Sequence, residues 1–336
     1  MVTLDVAWLG SPLWMWLAFL ALVAGLLALD LGVLHRKERT IGVRESLVLS
    51  AFYIALGLAF GLWVWWAKGG EAGLAYVTGF AIEKSLAMDN VFVIAMIFAY
   101  FAVPAVHQHR VLFWGILGVI VLRALLIGAG TALVERFEWV LYLFAGFLVL
   151  TGIKMWRSAG QLYEVGRSPA VAWLRRWLPL SEGNHGSRFW VREADPASGR
   201  TRWLATPLFL ALLMVELVDL VFAVDSVPAI FAITTDPFVV YTSNIFAILG
   251  LRALYFALAA MADRFHYLKY ALSLLLVFIG SKIFLADALG LAKFPPLASL
   301  SVTVAILAAG IGWSLWRSRP AIPALASGNP HRAGSN

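Results

Sequence analysis

Long apolar stretches run through this chain, each close to the roughly 20 residues that a helix needs to cross a bilayer core. They fall at about 12–34, 46–67, 76–101, 111–133, 138–156, 204–233, 239–261, 267–287 and 297–316. Such a pattern predicts an all-α polytopic membrane protein with about nine transmembrane helices, whose first partner is the lipid bilayer. Of its 336 residues 62% are hydrophobic and 13% charged. The net charge of +7 is accordingly read through its placement and not as affinity for nucleic acid. No cysteine is present, which removes disulfides, thiolate metal sites and thiol redox chemistry on the chain. No basic segment precedes the first apolar run, so that run reads as a retained span and not as a cleaved signal.

Basic residues crowd alternate connections. Arg36, Lys37, Arg39 and Arg44 follow the first stretch; Arg157, Arg167, Arg175, Arg176, Arg188, Arg192, Arg200 and Arg202 fill the long connection at 157–203. Arg264, Lys269, Arg317, Arg319 and Arg332 continue the series, and the other connections hold Lys68, Arg136 and Lys293. The positive-inside rule then places the N-terminus outside and the C-terminus in the cytoplasm. Trp63, Trp65 and Trp66 suit an interfacial belt at the outer end of the second stretch. Within 157–203, "AVAWLRRWL" predicts a short amphipathic helix, and "RFWVREADPASGRTRWLA" a β-hairpin turning at 195–199. Segment 1–68 holds two spans and a basic loop, and 317–336 reads as a disordered tail.

Two parts of the chain resemble each other. "EKSLAMDNV", Glu83–Val91, aligns with "DLVFAVDSV", Asp219–Val227; "LRAL" recurs at 122–125 and 251–254; Gly152-Ile153-Lys154 matches Gly280-Ser281-Lys282. The order and spacing are shared, with 31 residues from Arg123 to Lys154 and 30 from Arg252 to Lys282. Each unit, 76–156 and 204–287, has three spans. An odd number inserts the second unit from the opposite side, predicting two inverted three-helix repeats with a site near the midplane.

The buried charges need an account. A carboxylate at bilayer depth costs about 2.5–3.5 kcal/mol on insertion scales, so Glu83, Asp89, Glu216, Asp219 and Asp225 must face protein or water. Pairing with Lys84, Arg123, Arg252 and Lys282 would neutralise them; a cation site in a hydrated cavity is the functional alternative. Glu83 has Lys84 beside it in sequence. Glu216 and Asp219 share one helix face. Asp219 and Asp225, six residues apart, point about 240° apart on an unbroken helix at ~100° per residue. Pro228 predicts loosening at 224–228, which would free the Val224 carbonyl beside Asp225. Together with Asn90 and Ser226 these are hard oxygen donors, suited to Mg²⁺, Ca²⁺ or Mn²⁺. Met88 is a packing residue or a thioether ligand. Arg123 and Arg252 are expected to pair with the acids, or else to bind an anion. Lys154 and Lys282 are expected near opposite surfaces, snorkelling. Asp30 joins an inner vestibule or pairs with Arg36. His107, His109 and His185 read as loop histidines. No phosphate loop, zincin pattern or nucleophile elbow appears, so no enzyme and no permanently bound cofactor is expected.

"EKSLAMDNVFVIAMIF", "ATPLFLALLMVELVDLVFAVDSVPAIFAIT" and "DPFVVYTSNIFAILGLRALYF" resemble the TerC/Alx family of bacterial integral membrane proteins, once tied to tellurium resistance. The loop "LRRWLP...HGSRFWVRE" resembles the Alx branch. The resemblance covers about 12–316. It implies a multi-pass protein of the bacterial inner membrane, related to the lysine-exporter superfamily and engaged in Mn²⁺ efflux. It carries the acidic motif onto Glu83, Asp89, Asn90, Glu216, Asp219, Asp225 and Ser226. The expectation is a secondary transporter exporting Mn²⁺, its substrate and not its cofactor. Alternatives are a membrane scaffold aiding metalation or folding of exported proteins, or transport of Ca²⁺, a tellurium oxyanion or basic amino acids. The oligomeric state is left open.

Overall fold

The computed structural model describes residues 7–29, 42–158, 169–181, 185–194, 201–259, 268–291 and 294–317; the side chains of Asp89, Pro169, Ala170, Ala194 and Arg252 fall outside that description. So do Asp30, Arg36, the hairpin turn at 195–199 and the tail after 317.

A two-residue hairpin, β1 (Ala7–Trp8) and β2 (Ser11–Pro12), leads into α1 (Leu13–Leu29). Then follow α2 (Val43–Lys68), α3 (Gly70–Tyr100), α4 (Ala105–Arg136) and α5 (Val140–Ser158). The long connection holds α6 (Pro169–Trp177), β3 (Trp190–Ala194) and β4 (Thr201–Ala205). After it come α7 (Pro207–Phe231), α8 (Pro237–Leu249), α9 (Leu251–Ala259), α10 (Leu268–Ala288) and α11 (Pro296–Arg317). Every expected span coincides with a helix, or with the pair α8–α9 for 239–261. Length and composition support fewer crossings among the described residues. Six helices are long and apolar enough, α2, α4, α5, α7, α10 and α11, or seven if α8 and α9, bent by 53°, form one span. The shortfall from nine has two physical sources. α1 is 17 residues long, and α3 carries Glu83, Lys84 and Asp89 along its middle.

α3, α7 and α8 form the interior. α3 packs on α2, α7, α8 and α9, while α4 packs on α7 and α8. α5 lies along α10 over a long contact that glycines make possible. A Cβ on Gly152 would stand 2.8 Å from the Ser273 carbonyl oxygen, and one on Gly280 2.5 Å from that of Ala145. The Ser273 hydroxyl donates to the Gly152 carbonyl at 2.6 Å. An aromatic cluster of Trp16, Phe19, Phe60, Phe238 and Phe246 fastens α1 and α2 to α8.

The expected amphipathic helix and hairpin are both present, as α6 and the antiparallel β3–β4 pair. Val171 and Leu174 of α6 are buried against the bundle with Phe98 and Val103, while Trp173 and Trp177 are exposed. Thr206 stitches the hairpin to α7: its hydroxyl donates to the Arg188 carbonyl at 2.7 Å and accepts from the Phe209 amide at 3.3 Å. His185 is tied in as well, its Nε2 2.5 Å from the Ser181 hydroxyl, which also donates to Glu193. His107 and His109 stand on the first turns of α4 and not in a loop.

α7 corrects one expectation. It runs unbroken from Pro207 to Phe231 with Pro228 inside. Pro228 lies in its last turn, so the missing N–H and the ring clash act on a single hydrogen bond to the Val224 carbonyl. The helix continues through it.

Candidate functional site

The largest fully buried side chain among the described residues is Arg123 on α4, 1% exposed. Nε and Nη2 form a fork onto Asp219 of α7, at 3.3 Å to Oδ2 and 3.2 Å to Oδ1. Nη1 donates to Glu83 of α3, to the Ser226 hydroxyl at 2.9 Å and to Asn244 Oδ1 of α8 at 3.1 Å. Four helices thus meet on one side chain. Only an arginine can do this: its planar fork offers five donors and holds its charge without titrating. Glu83 and Asp219 occupy matching positions of the two similar sequence units, so the same arginine joins both. The ion pair of Glu83 is therefore with Arg123 and not with its neighbour Lys84.

Lys84 turns elsewhere. Its Nζ donates to the Ala247 carbonyl at 3.0 Å, near the C-terminal end of α8. A helix end carries partial negative charge and unpaired carbonyls, which an ammonium satisfies. The chain bends beside it at Gly250, where a Cβ would stand 2.6 Å from Nζ.

The remaining acids are separated by the continuity of α7. Glu216, one turn before Asp219, lies against α4, its carboxylate filling the space that a Cβ on Gly118 would need. One of its oxygens, Oε2, is buried without a hydrogen-bond partner among the described residues. Asp225 faces the other way, toward Thr151 and Lys154 of α5. The described carboxylates, Glu83, Glu216, Asp219 and Asp225, hence do not line one cavity. Among the described residues no three His, Asp or Glu side chains are grouped to hold a metal ion; Arg123 supplies the positive charge between Glu83 and Asp219. Asn90 Oδ1 and Asn244 Nδ2 are also buried without partners among the described residues. Buried polar atoms are rarely left so, and each marks a place where water or a ligand can bond.

Lys282 does not snorkel. It is 5% exposed and donates to the Ser299 hydroxyl at 3.0 Å. Lys154 is exposed on α5, as expected of a residue near a helix end. Asp89 on α3 and Arg252 on α9 have their side chains outside the described residues. Asn244 escaped the sequence reading, although its amide in an otherwise apolar helix was the available signal. Thr151, Ser299 and Gly118 escaped too, because nothing local distinguishes them from packing residues.

A bundle of apolar helices closed around polar and charged side chains from four of them is an integral multi-pass membrane protein with a polar centre. The chain belongs to the integral membrane protein TerC family, which it matches over residues 68–321. This bears out the resemblance carried by the acidic motifs. It is 48% identical over 312 residues to the membrane protein STKORF319 of Myxococcus xanthus, covering 93% of this chain and 95% of that one. It is 45% identical over 307 residues, 89% of this chain and 92% of the other, to Alx of Escherichia coli K12, whose name marks it as a candidate membrane-bound redox modulator. A Rickettsia bellii membrane protein is 42% identical over 302 residues, 90% of this chain and 97% of its own. No solved structure matches the chain.

Proposed function

We propose that this protein is a secondary transporter that exports Mn²⁺ from the cytoplasm. The observation that carries the reading is the Arg123 centre. Glu83 and Asp219 hold the guanidinium, and Glu216 stands one turn away on α7 with a buried oxygen unbonded. Three carboxylates against one arginine leave a formal surplus of two negative charges, which a divalent cation would balance. The donors are hard oxygens, fitting Mn²⁺, Ca²⁺ or Mg²⁺; among these the family resemblance favours Mn²⁺. Arg123 is then an internal counter-cation that an arriving metal must displace from part of its carboxylate shell. Asn90, Ser226 and Asp89 complete the donor set, with Asp225 and Lys154 as a neighbouring charge pair. Arg252 and Lys282 hold charge balance in the second unit.

The packing supports two inverted units. The first helix of one, α3, lies on the broken second helix of the other, α8–α9; the first helix of the other, α7, lies on α4; α5 and α10 face each other. Rocking of the units about the Arg123 centre would alternate access. Basic residues crowd the end of the bundle that carries α6 and the hairpin, which we take as cytoplasmic, with the Lys68 end outside. The name given to the Alx relatives suggests redox modulation. This chain has no thiol, so an effect of that kind would pass through the metal.

Cellular manganese, measured by mass spectrometry in a deletion strain complemented with each variant, tests the proposal. Asp219→Asn and Glu83→Gln should retain several-fold more manganese than the wild type. Unchanged manganese in both, with normal protein levels, refutes the site.

A further inference from the structure

At the Lys68 end a cavity of about 600 Å³ opens into the bundle. Its most buried lining residues are Thr78 of α3 and Phe231 of α7, and Lys68, Ala232, Asp236 and Lys282 also line it. Its depth relative to the Arg123 centre can be read on two helices that run in opposite directions. Thr78 is five residues from Glu83, and Phe231 five from Ser226, about 7.5 Å in each case at 1.5 Å per residue. Both helices place the charged centre a short step beneath the cavity floor.

Two buried side chains fill that step. Ile230 occupies the space that a Cβ on Gly79 would take, and the Phe231 ring stands 2.6 Å from where a Cβ on Gly130 would lie. Both ride on one turn of α7. That turn is bonded within itself, from the Ala232 amide to the Pro228 carbonyl at 3.0 Å and from the Thr234 amide to the Ile230 carbonyl at 3.0 Å. Its link backward is weakened, because Pro228 has no N–H to give to Val224. The turn can therefore tilt as a unit about Pro228 while keeping its own hydrogen bonds.

We propose that this cavity is the outer half of the ion's path, and that Ile230 and Phe231 are the barrier separating it from the Arg123 centre. The proposal rests on the transport reading and orientation given above. The two glycines are then slots: Gly79 seats Ile230 and Gly130 seats Phe231 in the closed position, and tilting withdraws both.

The natural sequence has no cysteine, so single cysteines can be introduced into the full-length protein in intact cells. Ala232→Cys and Ala72→Cys, in the cavity, should react readily with a membrane-impermeant thiol reagent added outside, and Ser226→Cys far more slowly. Adding Phe231→Ala should speed modification of Ser226→Cys by about tenfold or more, as when a state open a few per cent of the time becomes the common one. Ile230→Ala provides a second variant should Phe231→Ala fail to accumulate. A Ser226→Cys that reacts as fast as Ala232→Cys, or a rate that neither barrier variant changes, overturns the barrier. An unreactive Ala232→Cys, where Asp219→Asn still raises cellular manganese, overturns the path and keeps the transport reading. The expected reactivity with manganese unaffected by Asp219→Asn overturns the transport reading, and the cavity's role with it.

Discussion

Arg123 binds partners on α3, α7 and α8, and its removal leaves Glu83 and Asp219 charged and unpaired in an apolar interior. Breaking such a buried pair costs about 3–5 kcal/mol. Arg123→Met should therefore lower the thermal midpoint of the detergent-purified protein sharply. The triple change Arg123→Met, Glu83→Gln, Asp219→Asn should recover much of that stability without restoring export. Gly118→Ala makes the opposite separation. The added methyl meets only the end of the Glu216 side chain, which can swing away, so stability should change by about 0.5 kcal/mol or less. The moved carboxylate should nonetheless raise cellular manganese, and Glu216→Gln should do the same. A Gly118→Ala variant with wild-type manganese would detach Glu216 from function.

At the scale of elements, α5 and α10 are held by a reciprocal device. Gly152 abuts the Ser273 carbonyl and Gly280 the Ala145 carbonyl, and each contacted residue lies seven positions before the glycine of its own helix. The obstacles are backbone atoms, which cannot rotate away. Gly152→Ala or Gly280→Ala should each cost about 1–3 kcal/mol, seen as a lower Tm, with the double variant close to additive if the contacts are independent. The elements were the most legible part of the sequence. Apolar length and turn residues are local, so nine segments could be drawn, and α6 and the hairpin located, without tertiary information. The site was legible as a set of residue types but not as a geometry. Lys84 looked like the partner of Glu83 because the two are adjacent, yet Ala247, the partner of Lys84, is 163 positions away. Asp219 and Asp225 were expected to converge through a break at Pro228. The unbroken helix instead keeps them on different faces, one toward Arg123 and the other toward Thr151. Whether one proline opens a helix depends on what packs around its last turn, which no local window records.

The whole molecule has two unlike ends. α6, the hairpin and Arg175, Arg176, Arg188, Arg192 and Arg202 gather at one, while Lys68, bonded to Ser11 and to Asp236 at 2.5 Å each, joins three segments at the other. The proposed orientation predicts that phosphatase fused after Glu138 is active outside the membrane, while a fluorescent protein fused after Arg317 lights up in the cytoplasm. The reverse pattern would invert the direction assigned to the cavity.

The broken counterpart of α4 has a further consequence. α4 runs unbroken for 32 residues, whereas α8 and α9 meet at a 53° bend beside Lys84. In the transport cycle proposed above, halves built so differently could not exchange roles at equal energy, and the unloaded protein would rest facing one compartment. Metal offered from the disfavoured side must then wait for a scarce conformer, and half-saturating concentrations measured from the two faces will differ by the ratio of the resting populations. Such a carrier is a rectifier in affinity, even though no gradient has been applied to it.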